Sequence, residues 1–207
     1  MLSSEGFDLW ADGYDISVGL SDEENTYPFA GYRQVLNRIY QQVLKEESPC
    51  VLDIGFGTGT LTAKLYEQGC HIWGLDFSER MIELAKAKMP EAVLVQGDFS
   101  KGLTDCLKEQ KYDAIVATYS LHHLEDGEKA EFLKELLPLL KENGRIYIGD
   151  VAFKTRTELE KCREASGEEW DDEEIYFVYN ELEKAFPGQM SFEKISHCAG
   201  VITLLRG

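Results

Sequence analysis

The residues in this sequence whose types and spacing could do chemistry are three aspartates, three glycines and a pair of adjacent histidines. In VLDIGFGTGTLTAKL, Val51 to Leu65, an apolar run reaches Asp53, and Gly55, Gly57 and Gly59 then fall within five residues before the chain turns amphipathic. Glycine admits positive φ and lets a ligand approach where a Cβ would otherwise stand, and a helix starting just beyond presents unpaired N–H groups. A strand, such a loop and a helix make a cradle for a nucleotide-like ligand. Dinucleotide enzymes space a related loop G-x-G-x-x-G or G-x-G-x-x-A. Here the third glycine comes one residue early, Thr60 stands at the dinucleotide position, and a carboxylate at Asp53 would repel a pyrophosphate. The loop suits a ligand that carries a positive charge.

Asp76 closes the next apolar run, HIWGLD, and Asp98 the one after, AVLVQGD. A carboxylate leaving a parallel sheet at the strand's carboxyl end, beside a glycine loop, can accept two hydrogen bonds from ribose hydroxyls, which gives Asp76 its role. Asp98 can accept from an exocyclic amine such as adenine N6, and Phe77 and Phe99, each following one of these acids, can stack on a purine. Either aspartate alone has a helix cap as its plainer alternative. His122 and His123 are candidates for a general base. As neighbours at a helix start they should diverge by about 100°, which makes a poor metal-ligand spacing, and no metal is expected.

These residues need a scaffold that brings strand ends together, and the surrounding pattern supplies one. From residue 50 onward short apolar runs alternate with helical patterns, the form of repeated strand-helix-strand units. CVLDIG, HIWGLD, AVLVQGD, YDAIVATYS and GRIYIGD read as strands. Helices are expected at 59–68, 78–88, 101–109 and 126–140. Ser78 can cap the second, and Asn143-Gly144 ends the fourth, with Pro138 tightening its last turn. Ahead of the first strand, 27–46 reads as a helix with Val35, Leu36, Ile39 and Val43 on one side. After the fifth, 155–186 is charged and helical in pattern, and its acidic run EEWDDEE reads as a solvated face or helix start. FEKISHC and GVITLLR, separated by Ala199-Gly200, suggest a tight terminal hairpin.

With 207 residues and 43% hydrophobic content, the chain supports one core and a single domain. Its parts are a lid and helix over 1–48, a core over 49–151, a substrate-side helical insertion over 152–190 and a hairpin over 191–207. The net charge of −17 opposes nucleic-acid backbones and anionic membranes. Five widely spaced cysteines, no basic-then-apolar start and no apolar run near the about 20 residues of a membrane span point to a soluble cytoplasmic protein.

VLDIGFGTGT, GLDFS, QGDFS, YDAIVATYSLHHL and GRIYIGD together resemble the class I S-adenosylmethionine-dependent methyltransferases, over roughly residues 5–207, in the flavour of the small bacterial enzymes that act on small molecules. The resemblance implies an α/β fold: a Rossmann-like, doubly wound, mostly parallel seven-stranded sheet with an antiparallel C-terminal strand and helices on both faces. It implies S-adenosylmethionine as cofactor. Gly55, Phe56, Gly57 and Gly59 would lie under it, Asp53 near its ammonium, Asp76 on the ribose diol, and Asp98 with Phe99 on the adenine, beside Phe77. FDLWADGYD resembles the F-x-x-W-A-x-x-Y-D segment of the same branch, which would bring Tyr14 to the sulfonium, with Tyr32 lining the same mouth. Thr118 to Leu124 would border the methyl group. That segment lacks the N-P-P-Y or D-P-P-Y tetrapeptide of enzymes that methylate nucleic-acid amines or glutamine. With the acidic charge, this favours a small-molecule acceptor, methylated by direct in-line displacement in a monomer or homodimer. A cofactor-binding protein without turnover and a nicotinamide-dependent oxidoreductase remain as alternatives.

Overall fold

A computed structural model describes residues 25–207. Its strands are β1 (Cys50–Ile54), β2 (His71–Asp76), β3 (Val93–Gln96), β4 (Tyr112–Thr118), β5 (Leu140–Phe153), β6 (Phe177–Val178), β7 (Met190–Lys194) and β8 (Ala199–Leu205). They form one sheet in the order β3-β2-β1-β4-β5-β8-β7, with β6 paired to β5 off this path. The pairs from β3 through β5 are parallel, and β8 runs antiparallel to both β5 and β7. The expected architecture is therefore present, with eight strands instead of seven. The extra one is the two-residue β6, too short to leave a pattern in the sequence.

Both faces are covered because β1 and β4 are apolar on both sides, as central parallel strands must be. Val51, Ala114 and Val116 pack under α1 (Tyr32–Val43), α2 (Thr60–Glu67) and α3 (Glu79–Lys88), through Val35, Ile39, Leu61, Leu65, Ala85 and Met89. On the opposite face Leu52, Ile54, Ile115 and Ala117 meet Leu107 of α4 (Asp105–Lys108) and Phe132, Leu133 and Leu136 of α5 (Asp126–Leu136). Each large side chain of this kind, fully buried, contributes about 1.5–3 kcal/mol relative to exposure. After β3 the chain crosses back over β2 and β1 to begin β4, so a crevice opens between the carboxyl ends of β1 and β4.

Several expected boundaries move, each for a local reason. The first helix starts at Tyr32, not at 27, because Pro28 lies in a turn and Gly31 takes the left-handed conformation at the cap (φ 80°). In place of a helix over 101–109 there is a 3-10 turn at Phe99–Lys101, held by Asp98, and the single turn of α4. The helix expected to reach residue 140 ends at Leu136, because Pro138 turns the chain into a 3-10 segment, Leu137–Leu139. Asn143-Gly144 sits inside β5, where the register against β4 shifts. The terminal hairpin turns at 195–198, not at Ala199-Gly200: Ser196 Oγ accepts from the N–H groups of Cys198 and Ala199 at 3.2 and 3.0 Å and sets the turn there.

The segment 155–186 is helical only in part. α6 (Arg156–Ser166) begins on a capping box between Thr155 and Glu158 and ends at Gly167. Beyond it a 3-10 turn, Gly167–Glu169, leads through a bent, irregular stretch to β6 and then into the single turn of α7 (Tyr179–Leu182). The irregular stretch is pinned to the body of the molecule. Ile175 N–H donates to the carbonyl of His122 at 2.9 Å, and the buried ammonium of Lys129 donates to the Ile175 carbonyl at 2.5 Å while lying over the Phe177 ring. The acidic run is thus not one solvated face: Glu174, at its end, is turned inward.

Candidate active site

A cleft of about 680 Å³, counting the space open at its mouth, lies over the carboxyl ends of β1, β2 and β4. Tyr32, Gly55, Phe56, Gly57, Asp76, Phe77, Phe99, Thr118 and His123, all singled out in the sequence, line it. So do Thr60, Tyr119 and Ser120, the last two within the segment expected to border the methyl group, and Thr58, Leu61 and Met81, for which no ligand role was expected. Tyr119 takes a left-handed backbone (φ 51°) at the end of β4, a conformation that costs a non-glycine residue about 1–2 kcal/mol and often marks a functional turn. Its ring lies 5.0 Å from Tyr32 and 5.4 Å from Phe29, forming an aromatic wall.

The floor is the glycine loop. A Cβ on Gly55 would stand 2.5 Å from the Ser120 Cβ, so the loop can pass beneath the end of β4 only without a side chain there. A Cβ on Gly57 would meet nothing within 4 Å, so this position faces a space that a ligand can fill. Asp76 is buried. Its carboxylate accepts from Gly57 N–H at 2.8 Å and from Ser78 N–H at 3.0 Å, and so fixes the loop to the end of β2. Lys88 adds a bond to the Thr58 carbonyl at 2.8 Å.

Asp53 lies beneath this loop, not on the cleft surface. One carboxylate oxygen accepts from Thr62 Oγ1 at 3.0 Å, and the other has no hydrogen-bond partner among the described residues. Burial pushes its pKa up to about 7, only partly offset by Thr62 and increased by Asp76. An orphaned buried oxygen of this kind fits a cationic ligand group above it. Because Asp53 is protonated in the folded chain and ionised in the unfolded one between about pH 4 and 7, the unfolded state binds fewer protons in that window, and stability falls as pH rises through it. The ligand-free protein should therefore lose more melting temperature from about pH 5 to about pH 8 than its Asp53→Asn variant. Equal losses would show that Asp53 is already ionised.

Asp98 is placed differently from the role expected of it. Its Oδ1 accepts from Ser100 N–H and Oγ at 3.0 and 2.5 Å, and Oδ2 pairs with Lys101 at 2.9 Å. Burial acts to raise its pKa, but these partners outweigh it and hold the carboxyl below the usual range. It caps a 3-10 turn, and the residue that turn aims into the cleft is Phe99. Gly59 starts α2 at the back of the loop, outside the cleft lining. Tyr14 lies outside the described residues.

The two histidines do not diverge as their adjacency suggests. They sit on a 3-10 turn, Leu121–His123, with ring centroids 4.3 Å apart. His122 is buried, with Nδ1 2.7 Å from Asp150 and Nε2 3.4 Å from Glu174. Burial lowers its pKa, yet the Asp150 and Glu174 carboxylates prevail and the net shift is upward. His123, which faces the cleft, is lowered to about 4 by burial and by the neighbouring His122. Asp150 and Glu174 are the residues that reading the sequence missed. Asp150 ends GRIYIGD, one more acid at a strand end, and was a legible signal. Glu174 was hidden in an acidic run.

A mostly parallel sheet with an antiparallel strand next to β5, a glycine loop after β1 and an acid ending β2 define the Rossmann-like methyltransferase architecture. A family model described as a methyltransferase domain matches residues 51–144. An uncharacterized methyltransferase of Geobacillus sp. (strain WCH70) is 40% identical over 163 residues, covering 78% of this chain and 73% of that protein. The chain belongs to the class I S-adenosylmethionine-dependent methyltransferase family. Among solved structures, the magnesium protoporphyrin IX methyltransferase of Synechocystis PCC 6803 with bound SAH has a TM-score of 0.68 at 19% identity, covering 86% of this chain and 85% of that one. A DhpI-SAH complex has a TM-score of 0.70 at 18% identity, covering 97% and 93%. No helix among the described residues is long and apolar enough to cross a membrane.

Proposed function

We propose that this protein transfers a methyl group from S-adenosylmethionine to a small-molecule acceptor by direct in-line displacement. The observation that carries this reading is the floor of the cleft. There a buried carboxylate, Asp76, already holds the glycine loop, and a Cβ on Gly57 would meet nothing within 4 Å. S-adenosylmethionine, when bound, supplies an electrophilic methyl group on a sulfonium.

The chain's own residues bind and orient. Asp76, at the carboxyl end of β2 beside the glycine loop, is placed to accept from the ribose diol. Asp53 complements the ammonium through its orphaned oxygen. Phe77 and Phe99 offer ring surfaces to the adenine. Tyr32 and Tyr119 shield the reacting end from water and present π faces to a positive charge, an attraction of about 0.5–2 kcal/mol. His123 stays neutral near pH 7 and lines the cleft, where it can take up a proton from the acceptor. Orientation supplies most of the rate enhancement. The net charge of −17 favours a small molecule over a nucleic acid as acceptor.

Calorimetry tests the first half of the proposal: one equivalent of S-adenosylmethionine, and of its demethylated product, should bind. The absence of heat for both at millimolar ligand overturns the reading. A panel of small hydroxyl, amine and thiol acceptors, assayed by release of the demethylated product, tests the second half. Turnover confined to protein or nucleic-acid acceptors would overturn the small-molecule assignment.

A further inference from the structure

We propose that His122, His123 and Glu174 form a binding site for one divalent transition-metal ion. Each residue offers one ligand atom, and the three atoms lie within 4.8 Å of one another. His122 Nε2 and Glu174 Oε1 are 3.4 Å apart. That is the edge of a tetrahedron whose metal bonds are about 2.0–2.1 Å long, the length of zinc bonds to imidazole and carboxylate. Two imidazoles and one carboxylate are the ligand set of open zinc sites, in which the fourth position is left for water or substrate.

Four further features of the fold support the assignment. The two sequence-adjacent rings, on the turn Leu121–His123, approach to 4.3 Å between centroids. Asp150 accepts from Nδ1 of His122 at 2.7 Å, fixing the tautomer that points the Nε2 lone pair at Glu174. A carboxylate behind a ligating histidine is the usual arrangement that orients it and raises its basicity. In that tautomer a lone pair and a carboxylate oxygen face each other, and a cation between them satisfies both. Glu174 is also held in place: its neighbour Ile175 is bonded to His122 and Lys129.

Since His123 lines the cleft, the open coordination position belongs to the acceptor side. On the methyl-transfer reading, an ion there selects an acceptor with a coordinating oxygen, such as a hydroxy acid, phenol or enol, and makes its proton more acidic.

The test uses the full chain, stripped with a chelator and titrated with Zn²⁺ alone. One equivalent should bind, at least about 100-fold more tightly than to Glu174→Gln or His123→Gln, while Asp150→Asn should lose about 10–100-fold. Zn²⁺ should raise the melting temperature of the wild type and leave that of Glu174→Gln unchanged, which separates lost binding from lost folding. Cys106→Ser should bind as the wild type does, since Cys106 is an exposed thiol remote in role from the site. The Co²⁺ form should show d–d bands without a thiolate charge-transfer band. No stoichiometric binding, or equal affinity in the wild type and both glutamine variants, overturns the site and leaves a shared proton between His122 and Glu174. These readings need no methyl transfer, so they stand or fall apart from the S-adenosylmethionine titration.

Discussion

Replacing Asp76 with alanine is expected to weaken S-adenosylmethionine binding by about 100-fold or more in calorimetry. A hydrogen bond to a charged group is worth about 1.5–3 kcal/mol, so losing two from a ribose diol removes about 3–6 kcal/mol, and about 1.4 kcal/mol is tenfold in affinity. The loss extends beyond the ligand contacts. The same carboxylate accepts from Gly57 and Ser78 at 2.8 and 3.0 Å, so alanine also releases the glycine loop from the end of β2 and strands two amides. Asp76→Asn separates the two effects, because its single amide oxygen can keep one loop bond but gives up the charge. It should fall between wild type and alanine. Affinity unchanged in the alanine variant would remove Asp76 from the ribose site.

Gly55→Ala is expected to destabilise the fold by about 2–5 kcal/mol in denaturant unfolding. About 1–2 kcal/mol comes from a left-handed backbone at φ 70°, and about 1–3 kcal/mol from overpacking. The overlap has a named partner, the Ser120 Cβ at 2.5 Å. Ser120 cannot retreat cheaply, because its Oγ donates to the Ile54 carbonyl at 2.8 Å inside the core. The double variant Gly55→Ala/Ser120→Gly should therefore recover most of the overpacking share and retain the backbone share, a coupling expected only of residues in contact. Simple additivity of the two changes would show that Ser120 is not the obstacle.

The fold was legible because its parallel strands are short apolar runs, several with an acid at or near their end, and central parallel strands leave little room for another reading. Spacing alone pointed to Gly55, Gly57 and Asp76, which the fold brings to the cleft lining, since a loop that approaches a ligand tolerates few residue types. Asp98 shows where that logic stops. An acid at a strand end can face a ligand or cap the next turn, and only the nearby Ser100 and Lys101 decide between them. The divergence expected of His122 and His123 concerns their backbone directions, whereas side-chain torsions, which adjacency does not specify, bring the rings to 4.3 Å. Glu174 was illegible for a different reason. Nothing in EEWDDEE distinguishes the one carboxylate that Ile175 and Lys129 draw inward, because its partners lie about fifty residues upstream.

The pinning of 170–178 has a consequence for how such an enzyme can diversify. The segment that faces the histidines is fastened through Ile175, Lys129 and the β5–β6 pair, none of which belongs to the floor under the glycine loop. Trp170, Asp171 and Glu174 can therefore be exchanged while the fasteners and the floor stay as they are. On the proposed reading, acceptor choice and donor affinity would be inherited on separate pieces of chain, and one could drift without the other.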